Sequence, residues 1–281
     1  MEVLSKKDQK IYASNIEDVA EEKDFYTLEN LENKYMVENY FANEIEPILY
    51  DSLKDIRTRC ENPLVRSGAK VINGDEKADL MGSLLMQWLR GKQTREYERK
   101  IYDEYLEKVI DDSKKKFRIN DSELNKIADT FLKDKTVFKE IAISAAFNSD
   151  KLKMYNDILT SRNIIFYRII GDGEFITSDN PVLLVHRITK DPTLFRNGIL
   201  DKNTLIYYPI SPKLIMGAYH PNLYPVTLKE KDCQVNFITD LNAGNFIKSI
   251  NLKQAEQCYN YVYANSKTVL EDIQQSLLQK K

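Results

Sequence analysis

The stretch GEFITSDNPVLLVHRI, Gly173 to Ile188, decides the reading of the fold. Its centre, Thr-Ser-Asp-Asn-Pro at residues 177–181, favours turns, yet it lies between two short runs fit for β-strands. Pro181 restricts Asn180 to extended backbone, and Asp and Asn side chains bond amides two residues on. One reading is a tight polar turn that only reverses or offsets the chain. The other is a turn that presents Ser178, Asp179 and Asn180 to a ligand, as sheet-edge turns on rigid scaffolds do.

Downstream of Arg162 the pattern is mostly strand. NIIFYRII (163–170) is β-branched and aromatic, GDGE (171–174) is a hairpin-type turn, and FIT (175–177) is expected to pair back across it. VLLVHRI, TLIYYPI and LIMGAY complete an expected antiparallel sheet. A helix is expected from Asp240 to about Ile250, a strand at YNYVYA, and an amphipathic closing helix at KTVLEDIQQSLLQK.

Upstream, helical periodicity dominates. Val37, Phe41, Ile45, Ile48, Leu49, Leu53 and Ile56 recur at three- and four-residue steps, with Pro47 set to kink the helix or open a second segment. A longer helix is expected over 77–115, and further helices over 121–133 and 136–159. Helices, then a sheet, then helices predict an α+β protein: a helical N-terminal part packed on an antiparallel sheet, with C-terminal helices. The expected organisation is one domain over 1–281, with 1–160 mainly helical and 161–281 containing the sheet.

With 42% hydrophobic and 30% charged residues, the 281-residue composition is that of a soluble globular chain. No apolar run approaches the roughly 18 residues that span a bilayer, and the N-terminus carries no secretory pattern. A net charge of −2 gives no global attraction for nucleic acid but leaves room for a local basic patch. Three widely spaced cysteines, Cys60, Cys233 and Cys258, fit idle thiols in a reducing cytoplasm. Two histidines, His186 and His220, argue against a multi-histidine zinc site. Any metal would rest on carboxylates, which suit magnesium or manganese.

Several blocks then line up in order: IEDVAEEKDFYT (16–27), VENYFANEIEPILYDSL (37–53), LLMQWLRGKQTREY (84–97), TSDNP (177–181), YYPISPKLIM (207–216) and VNFITDLNAGNF (235–246). In these the chain resembles domain-of-unknown-function family 4238, a mostly microbial group without an assigned activity. The resemblance puts Glu46 at an acidic position of the first helix and Gln87 and Arg90 in a Gln-x-x-Arg block. It also implies an N-terminally shortened member, since the group commonly opens with a His-His-x-x-Pro segment that this chain lacks.

Two classes of function stay open. In the first, Asp179 and Glu46 hold magnesium or manganese for hydrolysis of a phosphate ester, possible nucleic-acid substrates included. Arg90 would neutralise the phosphate, and Gln87, Ser178 or Asn180 would contact substrate oxygens or orient water. In the second, the chain is a ligand- or partner-binding module and the Thr-Ser-Asp-Asn-Pro turn is structural. Arg90, Lys92, Arg95, Arg99 and Lys100 form a basic run around Tyr97, interrupted by Glu96 and Glu98, which reads first as a solvated helix face. His186 shares a predicted strand face with Val182 and Leu184 and reads as a core-edge histidine. No glycine-rich phosphate loop or nucleophile elbow is present.

Overall fold

The computed structural model describes residues 1–15, 34–91, 100, 103–105, 107–112, 126, 149–187, 198–222 and 230–279. In chain order the strands are β1 (Glu2–Ser5), β2 (Lys10–Ala13), β3 (Asn163–Ile170), β4 (Thr177–Ser178), β5 (Leu183–His186), β6 (Thr204–Ser211), β7 (Leu214–Tyr219), β8 (Gln234–Thr239) and β9 (Tyr261–Ala264). The helices are α1 (Met36–Tyr40), α2 (Glu46–Glu61), α3 (Gly74–Leu89), α4 (Ser149–Thr160), α5 (Asp240–Gln257) and α6 (Lys267–Leu278). The α+β architecture read from the sequence is present, with two sheets in place of the expected one.

The larger sheet has the order β5-β6-β7-β3-β8. Strand β3 pairs antiparallel with β7, placing Phe166 opposite Met216, and parallel with β8, placing Phe166 opposite Val235. The sheet is therefore mixed. Alternation along β3 sends Ile164 and Phe166 into a core shared with α1–α4, and Ile165 and Ile169 into a second core shared with Ile247 and Ile250 of α5. A strand covered on both faces has no solvated side, so NIIFYRII is apolar almost throughout instead of alternating.

On the N-terminal helical face, α3 starts with a capping box: Asn73 accepts from the amides of Asp75 and Glu76, and Glu76 accepts from the Asn73 amide. Leu80, Met81, Leu84 and Leu85 then pack with Ile56, Leu159 and Phe166. Pro47 opens α2, and the segment before it, Phe41–Ile45, is a π-helical turn in which the Glu46 amide reaches the Phe41 carbonyl. Proline lacks the N–H that an unbroken α-helix would need there, and the wider turn absorbs the lost bond. The helix expected over 77–115 ends at Leu89, and helical backbone recurs at 103–105 and 107–112. The helix expected over 121–133 lies outside the described residues except at 126, and that over 136–159 is described from Ser149.

The smaller sheet, β2-β1-β9-β4, is wholly antiparallel. Here the expectation for FIT fails. Residues 175–177 do not fold back on β3, because both neighbours of β3 are already taken by β7 and β8. Instead the chain turns through Gly171 (φ +102°) and Gly173 (φ +90°), left-handed conformations suited to glycine, and pairs Thr177–Ser178 with β9. Lys213 holds this turn by donating to the carbonyls of Gly171 (2.8 Å) and Gly173 (2.7 Å). After Pro181 the chain returns to the larger sheet as β5. Residues 171–182 are thus a crossing from one sheet to the other and back. Leu4, Ile176, Val262 and Ala264 form the third core with Ala255 of α5 and Leu270 and Ile273 of α6. Among the described residues no helix is long and apolar enough to cross a membrane.

Arg162, fully buried at the foot of β3, donates to three backbone carbonyls: Thr204 (2.7 Å), Ile199 (2.8 Å) and Asp201 (3.0 Å). Burial lowers its pKa to about 10, against the opposing charge of Asp201. Arg162→Met should lower the free energy of unfolding in urea by about 3 kcal/mol, since buried acceptors lose charged donors. The three cysteines are buried and unpaired, and burial raises Cys60 to about 12 and Cys233 and Cys258 to about 11. A pKa raised above that of the unfolded thiol, about 8.5, stabilises the fold below that pH, and the contribution is lost as pH rises through the folded value. The free energy of unfolding in urea should therefore fall between about pH 8.5 and 10.5, by up to about 1.4 kcal/mol per pH unit per thiol. A triple Cys→Ala variant should show a visibly shallower slope.

Candidate functional site

The Thr-Ser-Asp-Asn-Pro turn sits where the crossing strand meets the C-terminal end of α5. Asp179 is aimed at the turn that joins α5 to β9. Its Oδ1 accepts from the Tyr259 amide (2.8 Å), and its Oδ2 accepts from the amides of Asn260 (2.6 Å) and Tyr261 (3.2 Å). The Asp179 amide donates in turn to the Tyr261 carbonyl at 3.2 Å. Burial pushes the Asp179 carboxyl above the usual range, while the three amide bonds and nearby Lys6 pull it back. Lys6 also closes the end of α5 by donating to the carbonyls of Glu256 (3.0 Å) and Cys258 (2.7 Å).

Ser178 and Asn180 face α5 itself. Ser178 Oγ accepts from the Asn180 amide (3.0 Å) and from Gln254 Nε2 (2.7 Å), and Gln254 Nε2 also donates to the Asn180 carbonyl (2.7 Å). Asn180 Nδ2 donates to the Gln257 carbonyl at 3.0 Å. The Gln257 side chain spans Leu184, accepting from its amide (3.2 Å) and donating to its carbonyl (2.5 Å). One turn earlier, Asn251 donates to the Glu174 carbonyl (2.8 Å) and accepts from the Ile176 amide (3.2 Å). Asn251, Gln254 and Gln257 recur every three residues, so they climb one side of the helix. They serve successive stations of the crossing strand: 174–176, 178–180 and 184. Sequence reasoning missed this ladder. Its signal was present in INLKQAEQC, but the expected helix stopped near Ile250, before all three amides.

Glu46 and Arg90 come together away from that ladder. Arg90 at the end of α3 donates to Glu46 Oε1 at 2.5 Å, and its guanidinium lies 5.7 Å from the centre of the Phe41 ring. Gln87 is half-buried one turn earlier on α3. The end of α3 nonetheless reaches the turn, since a Cβ on Gly91 would stand 3.8 Å from Asn180 Oδ1. The Gln-x-x-Arg block and the Asn180 turn are therefore neighbours, while the Asp179 carboxylate is committed to 259–261. Among the described residues, no group of three or more His, Cys, Asp or Glu side chains is placed to hold a metal ion. A cation at Asp179 would have to compete with three amide protons already pointed at its oxygens.

The remaining candidates lie elsewhere. The His186 side chain, 5% exposed, contacts Asp201 Oδ2 at 3.3 Å, and His220 accepts from the Asn222 amide at 3.2 Å. Burial, with Arg162 and Lys202 nearby, lowers the pKa of His220. Of the basic run, Lys92, Arg95 and Arg99 fall outside the described residues. Two clefts adjoin the crossing. One, of about 200 Å³, lies between the sheets, with Thr177, the Pro209–Pro212 segment and Tyr263 in its walls. The other, of about 310 Å³, lies between α5 and α6 under residues 172–174.

The model of a family described as "Protein of unknown function (DUF4238)" matches residues 1–268 of the chain. No curated protein and no solved structure matches it. The hydrogen-bond ladder makes a direct prediction. Asp179→Ala and Gln254→Ala should each cost about 1–3 kcal/mol by stranding buried polar groups. Because both substitutions release the same turn, the double variant should cost less than the two added together. Urea denaturation of the four proteins of the cycle checks this.

Proposed function

We propose that the chain, which belongs to the DUF4238 family, is a ligand- or partner-binding module in which the Thr-Ser-Asp-Asn-Pro turn is architectural. The observation that carries this reading is the use of the Asp179 carboxylate: both oxygens accept backbone amides of the α5–β9 turn. A metal ligand or general base needs lone pairs turned toward substrate. The hydrolase reading asks the same of Glu46 and Arg90, which instead engage each other. Buried, unpaired cysteines support placing the module in a reducing cytoplasm. Strand β3 and helix α5 each contribute to two cores, which supports reading 1–281 as a single domain.

The test is thermal unfolding of wild type and Asp179→Asn, each in EDTA, in magnesium and in manganese. A ion bound only by the folded state raises stability according to its concentration relative to its dissociation constant. The expected result is no metal-dependent shift in either protein, with Asp179→Asn melting several degrees lower because its amide cannot replace both acceptor oxygens. A saturable metal shift in wild type that disappears in an equally stable variant would overturn the reading, and so would phosphoester turnover dependent on Asp179.

A further inference from the structure

The cleft between α5 and α6 is lined by a carboxylate oxygen that no protein group engages. Gly173, in its left-handed conformation, carries Glu174 over the top of α5, and a Cβ at Gly173 would come within 3.3 Å of Ile247 Cδ1. Glu174 is only 8% exposed. Its Oε1 accepts from the Ser266 amide at 2.9 Å, ahead of α6, whereas Oε2 has neither a hydrogen bond nor an ion pair. Oε2 is not sealed from solvent: it opens into the cleft that Glu174 lines, where no protein group meets it. The walls beneath it are Ile247, Leu252, Val269 and Ile273, and Asp172 and Asp272 add two more carboxylates against a single Lys248. Gly244 leaves the α5 wall open, because a Cβ there would meet nothing within 4 Å.

We propose that this cleft binds an alkylammonium group: a protonated amine at Glu174 Oε2, with its aliphatic stem along Ile247, Val269 and Ile273. A volume of about 310 Å³ is at the small end of ligand pockets and suits a stem of several methylenes. Charge selects the head, since the acidic cleft repels carboxylates and phosphates. Area selects the stem, through burial of methylenes at about 0.8 kcal/mol each. The same chemistry is available from a free small amine or from a lysine side chain of a partner. This assignment gives the binding module a ligand class and rests on that reading.

The experiment is calorimetric titration and thermal unfolding of the full chain, at fixed ionic strength, with n-hexylamine hydrochloride, n-hexanol and sodium hexanoate. Nα-acetyl-lysine methylamide is titrated in parallel. Hexylamine should bind saturably and raise the melting temperature, whereas hexanol and hexanoate should not. Tighter binding of hexylamine than of the lysine derivative points to a free amine, and the reverse points to a lysine on a partner. Glu174→Gln keeps a carbonyl for the Ser266 amide but removes the charge, so it should weaken hexylamine by roughly tenfold or more. Gly244→Leu, a better helix former than glycine, should fill the cleft and abolish binding without lowering the melting temperature of the free protein. No saturable binding of hexylamine or of the lysine derivative, equal binding of hexanol, or unchanged hexylamine affinity in either variant would each overturn the proposal. Metal-dependent turnover at Asp179 would overturn the preceding reading instead, and would leave these titrations unaffected.

Discussion

The structure depends on how a strand that crosses between two sheets satisfies its backbone. Inside a sheet every N–H and C=O finds a ladder partner, but between sheets there is no ladder, and a buried peptide group without a partner is costly. Helix α5 supplies the missing bonds from side chains. Asn251, Gln254 and Gln257 take the place of a neighbouring strand for Glu174–Leu184, and the Asp179 carboxylate repays the connection by capping the amides of the α5–β9 turn. Two polar grips, one in each direction, fix the crossing.

That fixation determines the rest. Because α5 is held against the crossing, its apolar residues Ile247 and Ile250 cover one face of the larger sheet, while Ala255 reaches the core of the smaller one. The other face of the larger sheet is left to the N-terminal helices. The same arrangement brings Glu174 to the mouth of the α5–α6 cleft, since Asn251 holds its carbonyl and Gly173 sets its direction. Architecture and candidate site therefore share the segment 173–180, with different atoms committed to each.

What the sequence made legible follows from the reach of the signals. NIIFYRII, TLIYYPI and LIMGAY are long, bounded apolar runs, and each is a strand of the larger sheet. β1 and β2 escaped notice because each has four residues and the Lys6–Gln9 link between them offers no Gly or Asn, Gln9 itself taking the positive φ. VNFIT escaped because its residues run directly into α5, so one block supplies both a strand and a helix start. The direction of β8 was beyond any local pattern, as parallel pairing with β3 is a long-range choice. At the turn, composition pointed to the right five residues but not to their targets. An Asp in a turn looks the same whether its oxygens meet a metal or three amides.

The pairing of β1 with β9 places Glu2 beside Ala264. On the ribosome, synthesis runs from one to the other, so β1 waits for the much later β9 before the two can pair. Until then a β1–β2 hairpin would lack its β9 neighbour and carry an open edge. Loop closure over such a span adds little to the equilibrium but slows the search. The N-terminal helices and the larger sheet have most of their partners earlier, apart from β8 and α5. Closing the smaller sheet thus waits on the same late stretch that supplies β8 and α5 to the larger one, and until then the early edge of β1 is open to pairing with a stranger.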